Sequence, residues 1–409
     1  MFRCTFYQPG DPQGMVVLSK NSLALYPLAV CNDGSPAAYY FHRASSHPIP
    51  SASKPPDSST WLIYLAPGGW CYDSASCVQR CKGWHDGCSS TQWADQHTLG
   101  GIFDSPLFNA PTGGRVYLRY CTSDAHMGNA SAFGLQFRGA EVVHATLTDL
   151  ATKHGLGTAA RTTLVFGGAS AGARGGMVHL DDAERVVRRA ISPHTSLASR
   201  SINGPIRVLG FLDSAMWVDM SPANGSAFLG FANITRAVHA FAQPHMGECA
   251  SVYAGTEAWK CIFGQYRLPL LHTPYVAVGS QHDSYQLGNN LGAVSPATAV
   301  GRQFLTQFAT RVESLADWMA SSHGRIVYSS RCHRHATSEG PLFTACGCLQ
   351  VSMQQALDQL WLNDSCSSMA YVDRTCPASS YNCSCCTKDV ATEDDAAEIA
   401  DMAQGRQYK

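Results

Sequence analysis

The stretch Leu164-Val165-Phe166-Gly167-Gly168-Ala169-Ser170-Ala171-Gly172 allows very few backbone paths. A short apolar run leads into Gly168-Ala169-Ser170-Ala171-Gly172. A helical pattern follows at once, with Met177, Leu180, Ala183 and Val186 spaced by three residues. Strand, Gly-x-Ser-x-Gly and helix in that order describe a turn so sharp that the residues two either side of the serine must be small. Such a turn lifts the Ser170 hydroxyl clear of a sheet and aims it at a helix N-terminus, where free N–H groups and the helix dipole favour negative charge. Taken alone, the pentapeptide also admits the reading of a glycine-rich turn without chemistry, since the chain holds 36 glycines. The rest of the sequence has to decide between the two.

Composition narrows the setting. The net charge of −1 and a charged fraction of only 14% give no footprint for nucleic acid or an anionic membrane. Seventeen cysteines in 409 residues point to an oxidising, extracytoplasmic compartment with disulfide-stapled loops. The Asn-x-Ser/Thr sequons at Asn129, Asn224, Asn233, Asn363 and Asn382 agree with a secretory route. Met1–Gly14 lacks the basic and apolar runs of a secretory leader, so the compartment rests on cysteines and sequons. No run reaches the length of a transmembrane helix.

Apolar runs bounded by turn residues recur along the chain. They cover Ser22–Cys31, Ala37–His42, Trp61–Ala66, Gly114–Cys121, Thr162–Gly167, Ile206–Leu212, Pro274–Gly279 and Gly324–Ser329, with Met15–Val30 as an early strand. Short, continuous runs of this kind read as buried parallel strands. Helical periodicity falls between them at Gly139–His154 (Val142, Val143, Leu147, Leu150) and at Gly301–Ser322 (Phe304, Leu305, Phe308, Val312, Leu315, Trp318). The alternation predicts a doubly wound, mostly parallel α/β sheet with helices on both faces and ligands at the carboxyl ends of its strands. One domain over 19–386 is expected, after an N-terminal segment 1–18 and before an acidic, polar tail 387–409. Residues 222–269 do not fit a sheet strand and are read as an inserted cap.

A serine nucleophile needs a base, and the base needs an orienting carboxylate. The run Pro274–Gly279 ends at Asp283, and Gly324–Ser329 ends at Cys332-His333-Arg334-His335. Ser170, Asp283 and a histidine of the last loop therefore occupy three strand ends, in the chain order of an α/β hydrolase. Asp213 also ends a strand, the one directly after that of the serine. The acid more often comes from the following strand, which favours Asp283 and leaves Asp213 to hold a loop or line the pocket. Periodicity does not separate His333 from His335. The N–H groups of Ala171 and of Gly69 and Trp70, in Pro67-Gly68-Gly69-Trp70-Cys71, are the candidate oxyanion donors.

These residues resemble the pectin acetylesterase and Notum carboxylesterase family. The likeness rests on Gly68-Gly69-Trp70-Cys71 with Cys77, on Cys31-Asn32-Asp33-Gly34-Ser35-Pro36 and Ala38-Tyr39-Tyr40, and on Arg119-Tyr120-Cys121 and Phe137-Arg138-Gly139. Ser170-Ala171-Gly172, Asp213-Ser214, the Asp283-Ser284-Tyr285-Gln286 loop and Cys332-His333-Arg334-His335 complete it. The family's Cys-x-x-His selects His335 as the base. The resemblance implies an α/β-hydrolase-like serine carboxylesterase, without metal or organic cofactor, that removes O-acetyl groups from a cell-wall polysaccharide such as pectin. Removal of a fatty acyl group from a lipidated protein is the alternative within the class. Three features depart from the family pattern. Ala66-Pro67 stands where a glutamate usually precedes the glycines, Ala169 where a cysteine precedes the serine, and Ala173-Arg174 where Gly-Gly is usual. They place inherited substrate choice in question.

Two readings from other classes remain. A non-catalytic secreted binding protein on the same fold is opposed by the presence of all three candidate side chains. Metal binding through Cys346-x-Cys348 and Cys383-x-Cys385-Cys386 is opposed by spacing that lacks a tetrahedral C-x-x-C pair. Local bridges Cys71–Cys77 and Cys249–Cys261, and a longer Cys31–Cys121, are expected. The chain is expected to act as a monomer.

Overall fold

The computed structural model describes residues 15–43, 58–110, 112–192, 204–345, 349–362, 368–375 and 378. In chain order the strands are β1 (Val16–Ser22), β2 (Ala38–Arg43), β3 (Ser58–Leu65), β4 (Gln96–Leu99), β5 (Thr112–Leu118), β6 (Ala130–Ala132), β7 (Leu135–Phe137), β8 (Arg161–Ala169), β9 (Ile206–Asp213), β10 (Tyr275–Val278), β11 (Arg325–Ser329) and β12 (Met369–Val372). The helices are α1 (Ser74–Gly83), α2 (Gly139–His154), α3 (Ala171–His179), α4 (Ala183–Ile191), α5 (Phe231–Ala242), α6 (Gly264–Arg267), α7 (Ser284–Leu291), α8 (Ala299–Ala320) and α9 (Met353–Leu362).

One ten-stranded sheet runs in the order β12-β11-β10-β9-β8-β3-β5-β2-β1-β4. Pairing is parallel from β12 to β5 and antiparallel through β2, β1 and β4. The parallel centre is apolar because both faces are covered: Leu164, Val165 and Phe166 of β8, and Trp61, Leu62 and Ile63 of β3, are all buried. From β3 the chain moves outward to β5, then crosses back past β3 to β8 and continues through β9, β10 and β11. Strand order thus reverses between β3 and β8, which pair from Ser58↔Arg161 to Leu65↔Gly168. Loops leaving the two carboxyl ends diverge there, and the crevice they open is the usual ligand position in such a sheet.

Helix α2 occupies the predicted span, with Val142, Val143, Leu147 and Leu150 buried, and Gly155 closes it in the left-handed conformation at φ 82°. Helix α8 starts two residues before the predicted helix, capped by Thr298, whose side chain accepts from Gly301 N–H. Its apolar face is the predicted one except for Trp318, which is 54% exposed.

Several expectations need correction. The early strand is Val16–Ser22, and the run Ser22–Cys31 is not a strand. Beyond Ser22, Leu25 and Leu28 face solvent and the backbone folds into turns (Tyr26 N–H to Leu23 O, Ala29 N–H to Tyr26 O), with only an isolated bridge at Val30↔Pro36. Pro27 sits in that segment, where a ladder donor would be required. Because β1 begins at Val16, the sheet starts ahead of the boundary placed at residue 18. The helical pattern after Ser170 is broken by a 3-10 turn at Leu180–Asp182 before α4 begins. Residues 222–269 contribute no sheet strand; they form α5, α6 and 3-10 turns, of which α6 and the turn at Gly255–Ile262 pack against α3.

Disulfides Cys31–Cys121, Cys71–Cys77 and Cys249–Cys261 are present as expected, and Cys81–Cys88 is an additional one. Cys332, in the loop after β11, is also disulfide-bonded. The cysteines at 346, 348, 383, 385 and 386 and the tail 387–409 lie outside the described residues. Among the described residues, no helix is long and apolar enough to cross a membrane.

Candidate active site

Ser170 caps α3 with φ 53° and ψ −113°, a left-handed conformation that costs a residue with a Cβ of order 1–3 kcal/mol. Its own N–H is anchored on Asp213 O at 2.9 Å. The flanking glycines permit this turn through contacts with strand β3. A Cβ on Gly172 would lie 1.8 Å from Leu65 O, and one on Gly168 2.2 Å from the same oxygen. Only bare backbone fits between the turn and the end of β3, which is why the small residues occur on both sides of the serine.

The structure brings Ser170, His335 and Asp283 together. His335 Nε2 is 2.7 Å from Ser170 Oγ, and its Nδ1 is 2.8 Å from Asp283 Oδ2. All three side chains are nearly inaccessible. An ionised carboxylate only accepts, so Nδ1 carries the proton and Nε2 is left to accept from the serine hydroxyl. Asp283 caps α7, and its other oxygen accepts from Gln286 N–H at 2.8 Å, which fixes the carboxylate plane. Tyr285 stacks on the His335 ring at 5.2 Å, and Trp217 meets that ring edge-on at 5.9 Å.

Asp213 lies beneath this arrangement. Its Oδ2 accepts from Ser338 N–H at 2.8 Å, and the neighbouring Ser214 Oγ accepts from Ala336 N–H at 2.9 Å. Both donors lie within three residues after His335, so this pair grips the histidine loop from below. Tyr64 OH and Ser338 Oγ, 2.9 Å apart, tie the same loop to β3. Burial pushes the Asp213 carboxyl up, and burial with the nearby Asp213 charge pushes Glu339 up to about 7. His333 does not join the serine; burial lowers it to about 4.

The loop Pro67–Cys71 leaves β3 beside the serine turn. Gly69 adopts φ 63°, and among the described residues no acceptor takes up the N–H of Gly69, Trp70 or Ala171. The Cys71–Cys77 bridge and the Asp73 capping box at the start of α1 fix the loop's far end. Among the described residues no group of His, Cys, Asp and Glu side chains is arranged to hold a metal ion.

Three participants in the wall were not assigned from sequence. Trp217 lies four residues past the end of β9, and Tyr285 two past Asp283, so strand-end logic extended by one turn would have reached both. Arg174 was visible only as a departure from the family pattern. Its guanidinium is buried with its Cζ 4.0 Å from the Trp70 ring and 3.8 Å from the Trp217 ring.

A family profile described as pectinacetylesterase matches residues 14–385. The chain belongs to the pectinacetylesterase family. It is 28% identical over 286 residues to pectin acetylesterase 7 of Arabidopsis thaliana, covering 68% of this chain and 65% of that protein. It is 26% identical over 319 residues to the palmitoleoyl-protein carboxylesterase NOTUM of Drosophila melanogaster, covering 75% of this chain and 42% of that protein. The chain therefore spans less than two thirds of the length of these relatives. The solved structure of the Drosophila Wnt deacylase Notum superposes with a TM-score of 0.70 at 23% identity, covering 88% of this chain and all of that one. That likeness establishes the α/β-hydrolase-like fold.

Proposed function

We propose that this pectinacetylesterase-family chain is a serine carboxylesterase that removes O-acetyl groups from a polysaccharide such as pectin. The observation that carries this reading is the continuous hydrogen-bonded chain Ser170–His335–Asp283 at the reversal of strand order. In the proposed cycle His335 Nε2 takes the serine proton as Oγ attacks the ester carbonyl carbon. The resulting oxyanion accepts hydrogen bonds from the N–H groups of Gly69, Trp70 and Ala171. His335 then protonates the departing sugar oxygen as the carbon–oxygen bond breaks, leaving an acetyl group on Ser170. Water, deprotonated by the same nitrogen, attacks the acyl-enzyme; acetate leaves and Oγ regains its proton. Asp283 keeps Nδ1 protonated and stabilises the imidazolium in both halves.

Removal of a fatty acyl group from a lipidated protein is the second reading, supported by the Notum relatives. The two differ in acyl length, so hydrolysis of p-nitrophenyl acetate against long-chain p-nitrophenyl esters separates them. Ser170→Ala should lose about 10⁶ in turnover; an undiminished rate would end the serine mechanism. A secretory, cell-wall location is supported by the disulfides and by exposed sequons at Asn129, Asn224 and Asn233. A mobility shift with N-glycosidase would test it.

A further inference from the structure

Arg174 stands one turn into α3, its N–H bonded to Ser170 O at 3.1 Å. Long side chains on a helix lean back toward its N-terminus, which here is the serine end. The guanidinium carbon is within 4.0 Å of one indole centroid and 3.8 Å of another. The guanidinium carbon therefore lies over two indole rings at once, those of Trp70 and Trp217. Both rings also border the reacting groups. Trp70 adjoins Gly69, and Trp217 touches the His335 ring. Among the described residues no carboxylate pairs with the guanidinium, and its one hydrogen bond is a long one of 3.5 Å to Ile262 O. Burial lowers its pKa to about 9. Two π faces, rather than an ion pair, offset the desolvation of this charge.

The Arg174 side chain fills the space beside both indoles at 3.8–4.0 Å from their centroids. A polymethylene chain makes its carbon–carbon contacts at the same ~3.5–4.0 Å. An alkyl tail extending from an acyl group on Ser170 would therefore find a fitted apolar slot beside Trp70 and Trp217, were it open. We propose that Arg174 is a specificity-determining residue that fills this slot and restricts the enzyme to short acyl groups. The proposal rests on the esterase reading above and commits it to acetyl rather than fatty-acyl esters.

The test compares kcat/KM for p-nitrophenyl acetate, butyrate and octanoate, using the disulfide-intact full chain, Arg174→Ala and Arg174→Met. The wild type should favour acetate over octanoate. Removing the filler in Arg174→Ala should raise the octanoate-to-acetate ratio at least about tenfold, since each accommodated methylene is worth ~10-fold or more in a fitted pocket. Arg174→Met, uncharged but long, should retain most of the wild-type ratio. The proposal is overturned if folded Arg174→Ala keeps the wild-type ratio, or if Arg174→Met shifts as far as Arg174→Ala, which would make charge rather than volume the determinant. Should Arg174→Ala not fold, the wild type alone suffices: equal use of octanoate and acetate refutes the restriction. Failure of the parent reading looks different, because Ser170→Ala would then cleave acetate as fast as wild type.

Discussion

Replacing Asp283 by asparagine tests the proposed mechanism at its most specific point, because the fold dictates how the new amide must sit. Asp283 Oδ1 accepts from Gln286 N–H at 2.8 Å, and Oδ2 faces His335 Nδ1 at 2.8 Å. An amide has one accepting end and one donating end. Its oxygen must remain on the Gln286 N–H, since turning it around would set two donors against each other and unsatisfy the cap of α7. The amide NH₂ then points at Nδ1 and forces that nitrogen to accept. The imidazole proton moves to Nε2, which now offers a donor to Ser170 Oγ and has no lone pair for the serine proton. Geometry is preserved while the base is lost. In such a case turnover falls by about 10⁴, equivalent to about 5 kcal/mol in the barrier, with little change in KM. Asp213→Asn is the internal contrast. There the amide oxygen can keep the Ser338 N–H and the NH₂ can donate to Ser214 Oγ, so a loss of no more than about tenfold is expected from a residue that grips the loop. Steady-state hydrolysis of p-nitrophenyl acetate by both variants, with circular dichroism as the folding control, decides the matter. A folded Asp283→Asn within tenfold of wild type, or an Asp213→Asn that loses more than Asp283→Asn, would refute the assignment of the acid.

Three further outcomes follow from the packing around the site. His126, packed at a tilt against the Tyr120 ring and donating Nε2–H to Ala66 O, is lowered to about 4 by burial, so its neutral form is favoured in the fold. Its contribution is complete above an unfolded pKa near 6.5 and declines as pH falls toward 4. From pH 7 to pH 5 this removes about 2 kcal/mol, and His126→Gln should remove that part of the slope in urea unfolding measured at the two pH values. Asp124, raised to about 6 by burial, acts with the opposite sign, so the comparison must be between variant and wild type. Gly172→Ala should cost more than ~4 kcal/mol or prevent folding, because its Cβ would sit 1.8 Å from Leu65 O, whereas Gly340→Ala, with open space around it, should stay within ~0.5 kcal/mol by urea midpoint. Removing the Cys31–Cys121 bridge, which closes a separation of 90 residues, should lower stability by about 4–5 kcal/mol as the Cys31→Ala/Cys121→Ala pair; a loss below ~1 kcal/mol would show that the unfolded chain is already compact there.

What could be read from the sequence is what local chemistry announces. The serine turn carries its own signature in Gly168 and Gly172, and strand ends at Asp283 and His335 follow from apolar runs that stop at polar loops. Helix α2 is legible for the same reason, having a full apolar face and a glycine at its close. The opposite edge of the sheet was legible only in part. Strand β1 mixes Lys20 and Asn21 with apolar residues because it pairs antiparallel near the edge, and β4 (Gln-His-Thr-Leu) has almost no apolar signal at all. The more apolar residues 23–30 drew the strand assignment to a segment that the structure folds into turns. Asp213 could be ranked below Asp283 but its partners could not be named, since Ser338 lies 125 residues away and no periodicity links the two.

The packing at Arg174 shows the same limit from the other side. A lone arginine after Ser-Ala-Gly-Ala reads as a solvated helix residue, and only the meeting of two tryptophans from separate loops turns it into part of the wall. The first of those loops, the one carrying Trp70, is brought there by the feature that was legible. Leu65 O occupies the space that side chains on Gly168 and Gly172 would need, so β3 and the serine turn approach at backbone contact. That contact holds the Pro67–Cys71 loop, with the free N–H groups of Gly69 and Trp70, against the start of α3. One close approach thus aligns the proposed nucleophile, the proposed oxyanion donors and one of the two rings that hold Arg174. Gly172→Ala should accordingly disturb more than stability. If a fraction of the variant folds, its octanoate-to-acetate ratio should drift along with its turnover, because the position of Trp70 and that of the donors share a single cause.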